Sequence, residues 1–141
     1  MAEEILVKES LSAEEITAGE LLLKRLDGAG MNVVAAYWLF SPSVAEWHLE
    51  FVTPRMESEG PVEFYSEVRE LLSHPEQIDY LTLNSIMGLG PNYQYYELLR
   101  ESIRPQKDLC HVRLNRLVVG NEVVDLYIYR FPAKKNTNGS R

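Results

Sequence analysis

Residues 109–131 read LCHVRLNRLVVGNEVVDLYIYRF, two runs of strand-forming residues on either side of Gly120-Asn121. Glycine suits the first position of a type II′ turn, so we predict a β-hairpin with arms at 109–119 and 122–131. In that register Arg116 lies opposite Asp125, an oppositely charged cross-strand pair worth about 0.2–1 kcal/mol. The agreement between turn type and charge pairing makes antiparallel pairing a defining feature of the fold.

The sequence before this hairpin predicts three helices and three strands. Ser12 and Glu15 form a capping box at the start of the first helix. The glycines that follow this helix are predicted to end it. An apolar run followed by a run of alternating apolar and polar residues predicts a second hairpin. Two amphipathic segments bounded by prolines predict two more helices, with a short strand between them. The predicted bounds are helix 13–28, strands 32–40 and 45–53, helix 60–73, strand 80–86 and helix 91–104.

The predicted order is α-β-β-α-β-α-β-β, which describes an α+β fold. We expect one mixed, mostly antiparallel sheet of about five strands, with three helices packed mainly on one face. A uniformly parallel α/β fold is disfavoured, because hairpins pair their strands antiparallel. The length of 141 residues suits one domain, predicted at 1–132. The polar, basic end at 133–141 is predicted to be a flexible tail.

Composition indicates a cytoplasmic globular protein. Hydrophobic residues make up 45% of the chain and charged residues 25%, both ordinary globular values. The single cysteine, Cys110, cannot form an internal disulfide. The N-terminus is acidic, unlike a secretory signal. The longest apolar run, 33–40, has eight residues, far short of the roughly 20 that span a bilayer, so no membrane association is expected.

The charge is unevenly distributed. Residues 1–70 carry 14 acidic and 5 basic side chains, whereas residues 71–141 carry 7 acidic and 9 basic ones, for a net charge of −7. A general nucleic-acid binder needs a basic field that releases counterions, so nucleic acid is disfavoured as a partner. The acidic half suits a basic partner, although solubility explains it more simply.

The sequence contains no recognisable catalytic, metal or cofactor motif. The histidines, His48, His74 and His111, lack the short spacings of zinc ligands. His48 and Glu50 share one face of the second strand, which we interpret as a solvated face rather than as part of a larger site. Cys110 is predicted to lie in a strand beside His111, and neighbouring strand residues point to opposite faces. A buried, inert cysteine is therefore favoured, and we predict no cofactor, no metal and no catalytic residue.

The glycine-containing loop at 88–92, Gly-Leu-Gly-Pro-Asn, is the first candidate binding site. It lies between the predicted third strand and third helix, where free N–H groups at a helix start attract anions. The loop lacks the lysine and third glycine of phosphate-binding motifs, and its proline removes a donor. A structural turn is favoured, but a ligand in this loop would contact Gly88, Gly90 and Asn92.

The second candidate site is a group of polar and aromatic residues on the C-terminal hairpin. Strand alternation predicts that one face carries polar residues among Leu126 and Ile128: His111, Arg113, Asn115 and Arg130. The other face is predicted to carry Tyr127 and Tyr129 beside Val112 and Leu114. Aromatic residues and arginine are enriched at protein contacts, and such a patch on an open sheet would suit a dimer interface. A half-exposed sheet face is the simpler interpretation.

Two parts of the chain resemble a family of small uncharacterised bacterial proteins. The first part runs from Ala18-Gly19-Glu20 to Trp38-Leu39-Phe40, followed by Glu46-Trp47 and Thr53-Pro54. The second is Asp125-Leu126-Tyr127-Ile128-Tyr129-Arg130. The resemblance spans most of 13–131 and implies a stand-alone bacterial protein of unknown function. It implies no activity and no catalytic residue.

Three functions are compatible with these patterns. The favoured one is a non-enzymatic interaction or regulatory module that forms a homodimer or binds a protein partner through the C-terminal hairpin. The alternative is a small-ligand-binding protein or enzyme that combines the 88–92 loop with nearby polar side chains: His48, Glu50, His111 or Arg113. Nucleic-acid processing is the least favoured, because its basic residues are few: Arg113, Arg116, Arg130, Lys134 and Lys135.

Overall fold

The computed structural model describes residues 10–134. The acidic N-terminus, 1–9, and residues 135–141 of the predicted tail lie outside this described part. Between residues 10 and 134, no helix combines the length and apolar character needed to cross a lipid bilayer.

The described chain contains helices and strands in the predicted α+β order, with one additional short helix. The elements are α1 (Ala13–Gly28), β1 (Ala35–Ser41), β2 (Glu46–Val52), α2 (Arg55–Glu59), α3 (Pro61–Ser73), β3 (Ile86–Leu89), α4 (Gln94–Ile103), β4 (Val112–Val119) and β5 (Glu122–Arg130). The predicted capping box starts α1, since Ser12 and Glu15 each bond the other's backbone N–H. The predicted fold class is confirmed.

The five strands form one sheet in the order β3-β2-β1-β5-β4. β2 and β3 are parallel, and the helices α2 and α3 make the crossover between them. All other neighbouring strands are antiparallel. β1 is therefore the central strand, which explains why it is apolar on both faces.

The sheet has a hydrophobic core on each face. α1 and α3 cover one face, where Leu22 and Phe64 pack in the same cluster as Trp38. α4 covers the opposite face, where Leu99 packs in the same cluster as Tyr37. Two of the three longer helices thus share a face as predicted, and α4 takes the other one because β1 offers apolar residues on both.

The third strand differs most from its predicted position. We predicted strand 80–86, but the strand is Ile86–Leu89, preceded by a 3₁₀ turn at Leu83–Ser85. Tyr80 adopts a left-handed backbone with φ of +74°, which breaks the extended run. The alternating apolar residues before Ile86 therefore belong to a packed loop and not to a strand.

The C-terminal hairpin has the predicted turn and, next to it, the predicted register, which is lost farther along β4. Gly120 has a φ of +64° and Val119 pairs with Glu122, as in a type II′ turn. A bulge then shifts the register between Leu114 and Leu117. Arg116, at a φ of +59°, donates its backbone N–H to the Asp125 carboxylate at 2.8 Å. The predicted side-chain ion pair of Arg116 with Asp125 is therefore wrong.

The bulge also exchanges the two faces of β4. Arg113 lies opposite Tyr127, and Val112 lies opposite Ile128. Directly opposite residues share a face of the sheet, so Arg113 faces α1 together with Tyr127. The prediction that Arg113 shares a face with Ile128 is wrong, because one extra residue in a strand inverts every side chain beyond it.

Candidate functional site

A cavity of about 390 Å³ opens on the face of the sheet that α4 covers. Strands β1, β2, β3 and β5 and the start of α4 contribute to its walls. The lining residues are Leu39, Ser41, Ser43, Val44, His48, Glu50, Met87, Tyr93, Tyr95 and Glu122. We call this cavity the Glu50 pocket.

Strand pairing brings the polar residues of this pocket together. In the β1–β2 pairing Tyr37 lies opposite Glu50 and Leu39 lies opposite His48, so all four side chains share one face. Met87 of β3 is the parallel neighbour of Glu50. The sheet thus forms the floor of the pocket, and Tyr95 at the start of α4 borders it.

Glu50 is a buried carboxylic acid, with 5% of its surface exposed. Its Oε1 has no hydrogen-bond partner among the described residues. Burial raises the pKa of Glu50 to about 7, and the nearby Tyr37 hydroxyl partly offsets this rise. The interpretation of His48 and Glu50 as a solvated strand face is wrong for Glu50, while His48 is half-buried.

Two tyrosines lie near Glu50: Tyr37, opposite it in the sheet, and Tyr95, whose hydroxyl has no hydrogen-bond partner in the described part of the chain. Burial, followed by the negative charges of Glu50 and Glu122, raises the pKa of Tyr95 to about 12. Burial is also the main cause of the raised pKa of Tyr37. Both phenols therefore keep their protons at neutral pH and offer a donor and acceptor each.

A hydroxyl–carboxylate network forms the rim of the pocket. Ser43 Oγ donates to Glu122 Oε2 at 2.6 Å, and Ser41 Oγ lies 3.2 Å from both carboxylate oxygens of Glu122. The two serine hydroxyls lie 2.8 Å apart. Glu122 is therefore held by the chain's own donors, in contrast to Glu50.

Across residues 10–134, no three His, Cys, Asp or Glu side chains lie close enough together to hold a metal ion. The pocket's polar groups are a histidine, two carboxylates, two serine hydroxyls and two phenols. This set suits a ligand that is bound by hydrogen bonds and charge.

The loop at 88–92 is occupied by the chain's own contacts. Gly88 lies within β3 and donates its N–H to the Tyr65 hydroxyl at 3.0 Å. Asn92 donates its N–H to Glu57 Oε2 at 3.0 Å. A side chain at Gly90 would overlap Glu57, so this glycine permits the close approach. The loop thus binds an internal carboxylate, and its neighbours Met87 and Tyr93 border the Glu50 pocket.

The hairpin residues meet helix α1 on the other face of the sheet. His111 lies with Nδ1 3.2 Å from the Tyr127 hydroxyl and with Nε2 3.5 Å from a carboxylate oxygen of Glu20. Trp38 Nε1 donates to the Tyr129 hydroxyl at 2.8 Å, and that hydroxyl donates to the Ile16 carbonyl at 2.5 Å. These contacts tie β1, β5 and the residue that precedes β4 to α1.

The hairpin arginines also make contacts within the chain. Arg130 donates to both carboxylate oxygens of Asp27, at 3.0 and 2.6 Å, and to the Val33 carbonyl at 2.8 Å. The hydrogen-bonded Asp27 raises the pKa of Arg130. The Arg113 guanidinium lies 5.9 Å from the Tyr127 ring centre.

The structure therefore brings His111, Tyr127, Tyr129 and Arg130 together beside α1, while His111 and Arg113 stay exposed. Asn115 lies apart, exposed beside the bulge.

Cys110 is exposed and precedes β4. The prediction of a buried cysteine within a strand is wrong, because the chain turns at His111, whose φ is +56°. Cys110 and His111 border a cavity of about 260 Å³ beside α1.

Comparison with known proteins gives no match: no family model, no curated protein and no solved structure is similar to this chain. The functional assignment therefore depends on the geometry of the Glu50 pocket.

A signal for the burial of Glu50 was present in the sequence. The predicted central strand is apolar on both faces, so both faces of the sheet must be covered. The third predicted helix has its own buried stripe and needs a face to cover. Since β2 pairs with β1 in a hairpin, the face of Glu50 is continuous with that of Tyr37, and a helix over Tyr37 also covers Glu50.

Proposed function

We propose that this protein binds a small molecule in the Glu50 pocket. The observation that carries the proposal is Glu50 itself: a buried carboxyl whose Oε1 has no hydrogen-bond partner among residues 10–134. A buried polar group without a partner destabilises the fold by about 1–3 kcal/mol. Most buried polar groups in native proteins have a partner, so an unpartnered one calls for an explanation, and a bound ligand is one.

The surroundings of Glu50 support binding. The cavity volume of about 390 Å³ falls in the range of small-molecule sites, which are mainly apolar with a few placed polar groups. Tyr95 adds a second unpartnered polar group. By contrast, a groove of similar volume between α1 and residues 77–80 has exposed acidic side chains, Glu14 and Asp79.

The test is a binding screen by two-dimensional NMR with small aromatic fragments of each charge class. We expect at least one class to shift backbone amides of the pocket, including those of His48 and Glu50. Tyr95→Phe should reduce the effect, because it removes a polar group that borders the cavity. Glu63→Gln, on the exposed side of α3, is the matched control and should change nothing. Shifts scattered over the surface, equal in both variants, would contradict the proposal.

Self-association through the C-terminal hairpin is a second candidate, supported by a different part of the hairpin. Val118 and Val123 are cross-strand neighbours that are 61% and 44% exposed. A paired apolar surface at the end of a hairpin suits contact with a second copy. Light scattering tests it: we expect a dimer that Val118→Ser converts to monomer. A monomeric wild-type chain at high concentration would refute it.

A further inference from the structure

The charge of the Glu50 pocket indicates what kind of molecule it binds. Two carboxylates, Glu50 and Glu122, are among its ten lining residues, and neither lysine nor arginine is. We propose that the ligand is a small organic cation with a primary ammonium group on an apolar body. This inference rests on the binding function proposed above and specifies the ligand class.

The unpartnered oxygens match an ammonium group. Two lining groups, Glu50 Oε1 and the Tyr95 hydroxyl, are buried and without a hydrogen-bond partner in the described chain. Both groups line the same cavity. A primary ammonium carries three N–H donors and no acceptor. Charge-assisted bonds of this kind are also stronger than bonds between neutral groups.

The remaining walls suit the apolar body of such a ligand. Leu39, Val44 and Met87 are aliphatic, and Tyr93 and Tyr95 are aromatic. Aromatic faces attract cations through the ring quadrupole, which adds to the attraction of the carboxylate. An anionic ligand would instead meet two carboxylates with no lysine or arginine in the lining.

The two carboxylates have different parts in this scheme. Ser41 and Ser43 already bond to Glu122, so Glu122 contributes negative potential at the rim. Glu50 has a free oxygen inside the pocket and makes the direct contact. Since burial raises the pKa of Glu50 to about 7, a cation binds its ionised form and releases a proton near neutral pH.

The test compares three fragments of one shape: benzylamine, benzyl alcohol and benzoate. We expect benzylamine to bind at pH 8 with a Kd at least tenfold lower than that of benzyl alcohol, and benzoate to bind most weakly. Glu50→Gln should raise the Kd of benzylamine at least tenfold and leave that of benzyl alcohol within twofold. Tyr95→Phe should weaken benzylamine binding without changing the charge, and Glu63→Gln is the matched acidic control.

The pH dependence is a second readout. With a Glu50 pKa near 7, the ionised fraction falls about tenfold between pH 8 and pH 6, and benzylamine affinity should fall with it. The titratable groups that face Glu50 from the surrounding elements are Tyr37 of β1, His48 of β2, Tyr95 of α4 and Glu122 of β5. His48→Asn and Glu122→Gln should keep the pH dependence, whereas Glu50→Gln should lose it.

The outcomes separate the two proposals. If benzyl alcohol or benzoate shifts the pocket amides at least as strongly as benzylamine, the cation assignment fails and the binding function stands. If benzylamine binds equally well to Glu50→Gln, the cation assignment also fails. If none of the three fragments shifts the pocket amides at millimolar concentration, both proposals fail.

Discussion

At the residue scale, the burial of Glu50 lowers the stability of the fold but leaves a carboxyl oxygen available to bind a ligand. Its burial favours the protonated form in the folded state, since ionisation would place a charge in an apolar interior. Residues at functional sites are often shifted in this way, because the fold retains groups that do not serve stability. The unpartnered hydroxyl of Tyr95 borders the same pocket.

The stability of the protein should reveal this burial. The pKa of Glu50 rises from 4.5 to about 7 on folding. The folded state therefore holds the proton more tightly, and its stability falls as pH rises from about 4.5 to 7, by an amount on the order of 3 kcal/mol. At pH 8, we expect Glu50→Gln to unfold at a higher denaturant concentration than the wild type, and the difference should shrink towards pH 4.5. Equal pH dependence in both proteins would contradict the burial of Glu50.

At the element scale, the bulge in β4 determines which side chains face α1. It inserts one residue opposite Asp125, between the pairs of Leu114 and Leu117. The sequence around it, Leu-Asn-Arg-Leu, alternates less strictly than the rest of the strand. Asn115 marks this irregularity, but the left-handed residue is Arg116.

Two substitutions separate the bulge from the ion pair predicted at the same position. Asp125 accepts a hydrogen bond from the backbone N–H of Arg116, not from its guanidinium. We expect Asp125→Ala to lower the free energy of unfolding by about 1 kcal/mol, the worth of such a bond. Arg116→Ala should change it by less than about 0.5 kcal/mol, since the backbone donor remains. Equal losses in the two variants, measured by urea denaturation, would favour the side-chain pair.

At the scale of the whole molecule, one sheet connects two hydrophobic cores. Leu22 of α1 and Leu99 of α4 are fully buried on opposite faces. Because every central strand contributes side chains to both cores, neither core can open without loss of the sheet between them. The Glu50 pocket lies at the edge of the α4 core, so the binding site depends on this second layer.

Truncation of a leucine side chain in either core should destabilise the whole protein, which should still unfold in a single transition. We expect Leu22→Ala and Leu99→Ala each to lower the free energy of unfolding by about 2–5 kcal/mol. Their effects should add in the double variant, because the two sites share no contact. Circular dichroism and tryptophan fluorescence should report the same midpoint in each variant. Separate midpoints for the two probes would show that the cores unfold independently.

Local signals in the sequence correctly predicted several parts of the fold. The capping box predicted the start of α1 at Ala13, and glycine predicted the turn at Gly120. The apolar run at 33–40 predicted a central strand. These predictions were right because capping, turn geometry and strand burial depend on residues close in sequence.

Predictions that required the relative position of distant residues were wrong or incomplete. Strand alternation puts Arg113 on the wrong face because the bulge lies between Arg113 and the turn from which the register is counted. It puts Glu50 in solvent because alternation describes one strand and not the helix that covers it. It also puts Cys110 inside a strand that begins two residues later, at Val112.

The amino-acid sequence by itself determined the α+β class, the order of the elements and the turn of the C-terminal hairpin, because these depend on hydrophobic period and local backbone preference. Only the tertiary structure decided that α4 covers the second face of the sheet, that β2 and β3 run parallel, and that Glu50 lies buried beside Tyr95. The physical reason is that burial and pKa depend on what packs over a residue, and that partner comes from a distant part of the chain.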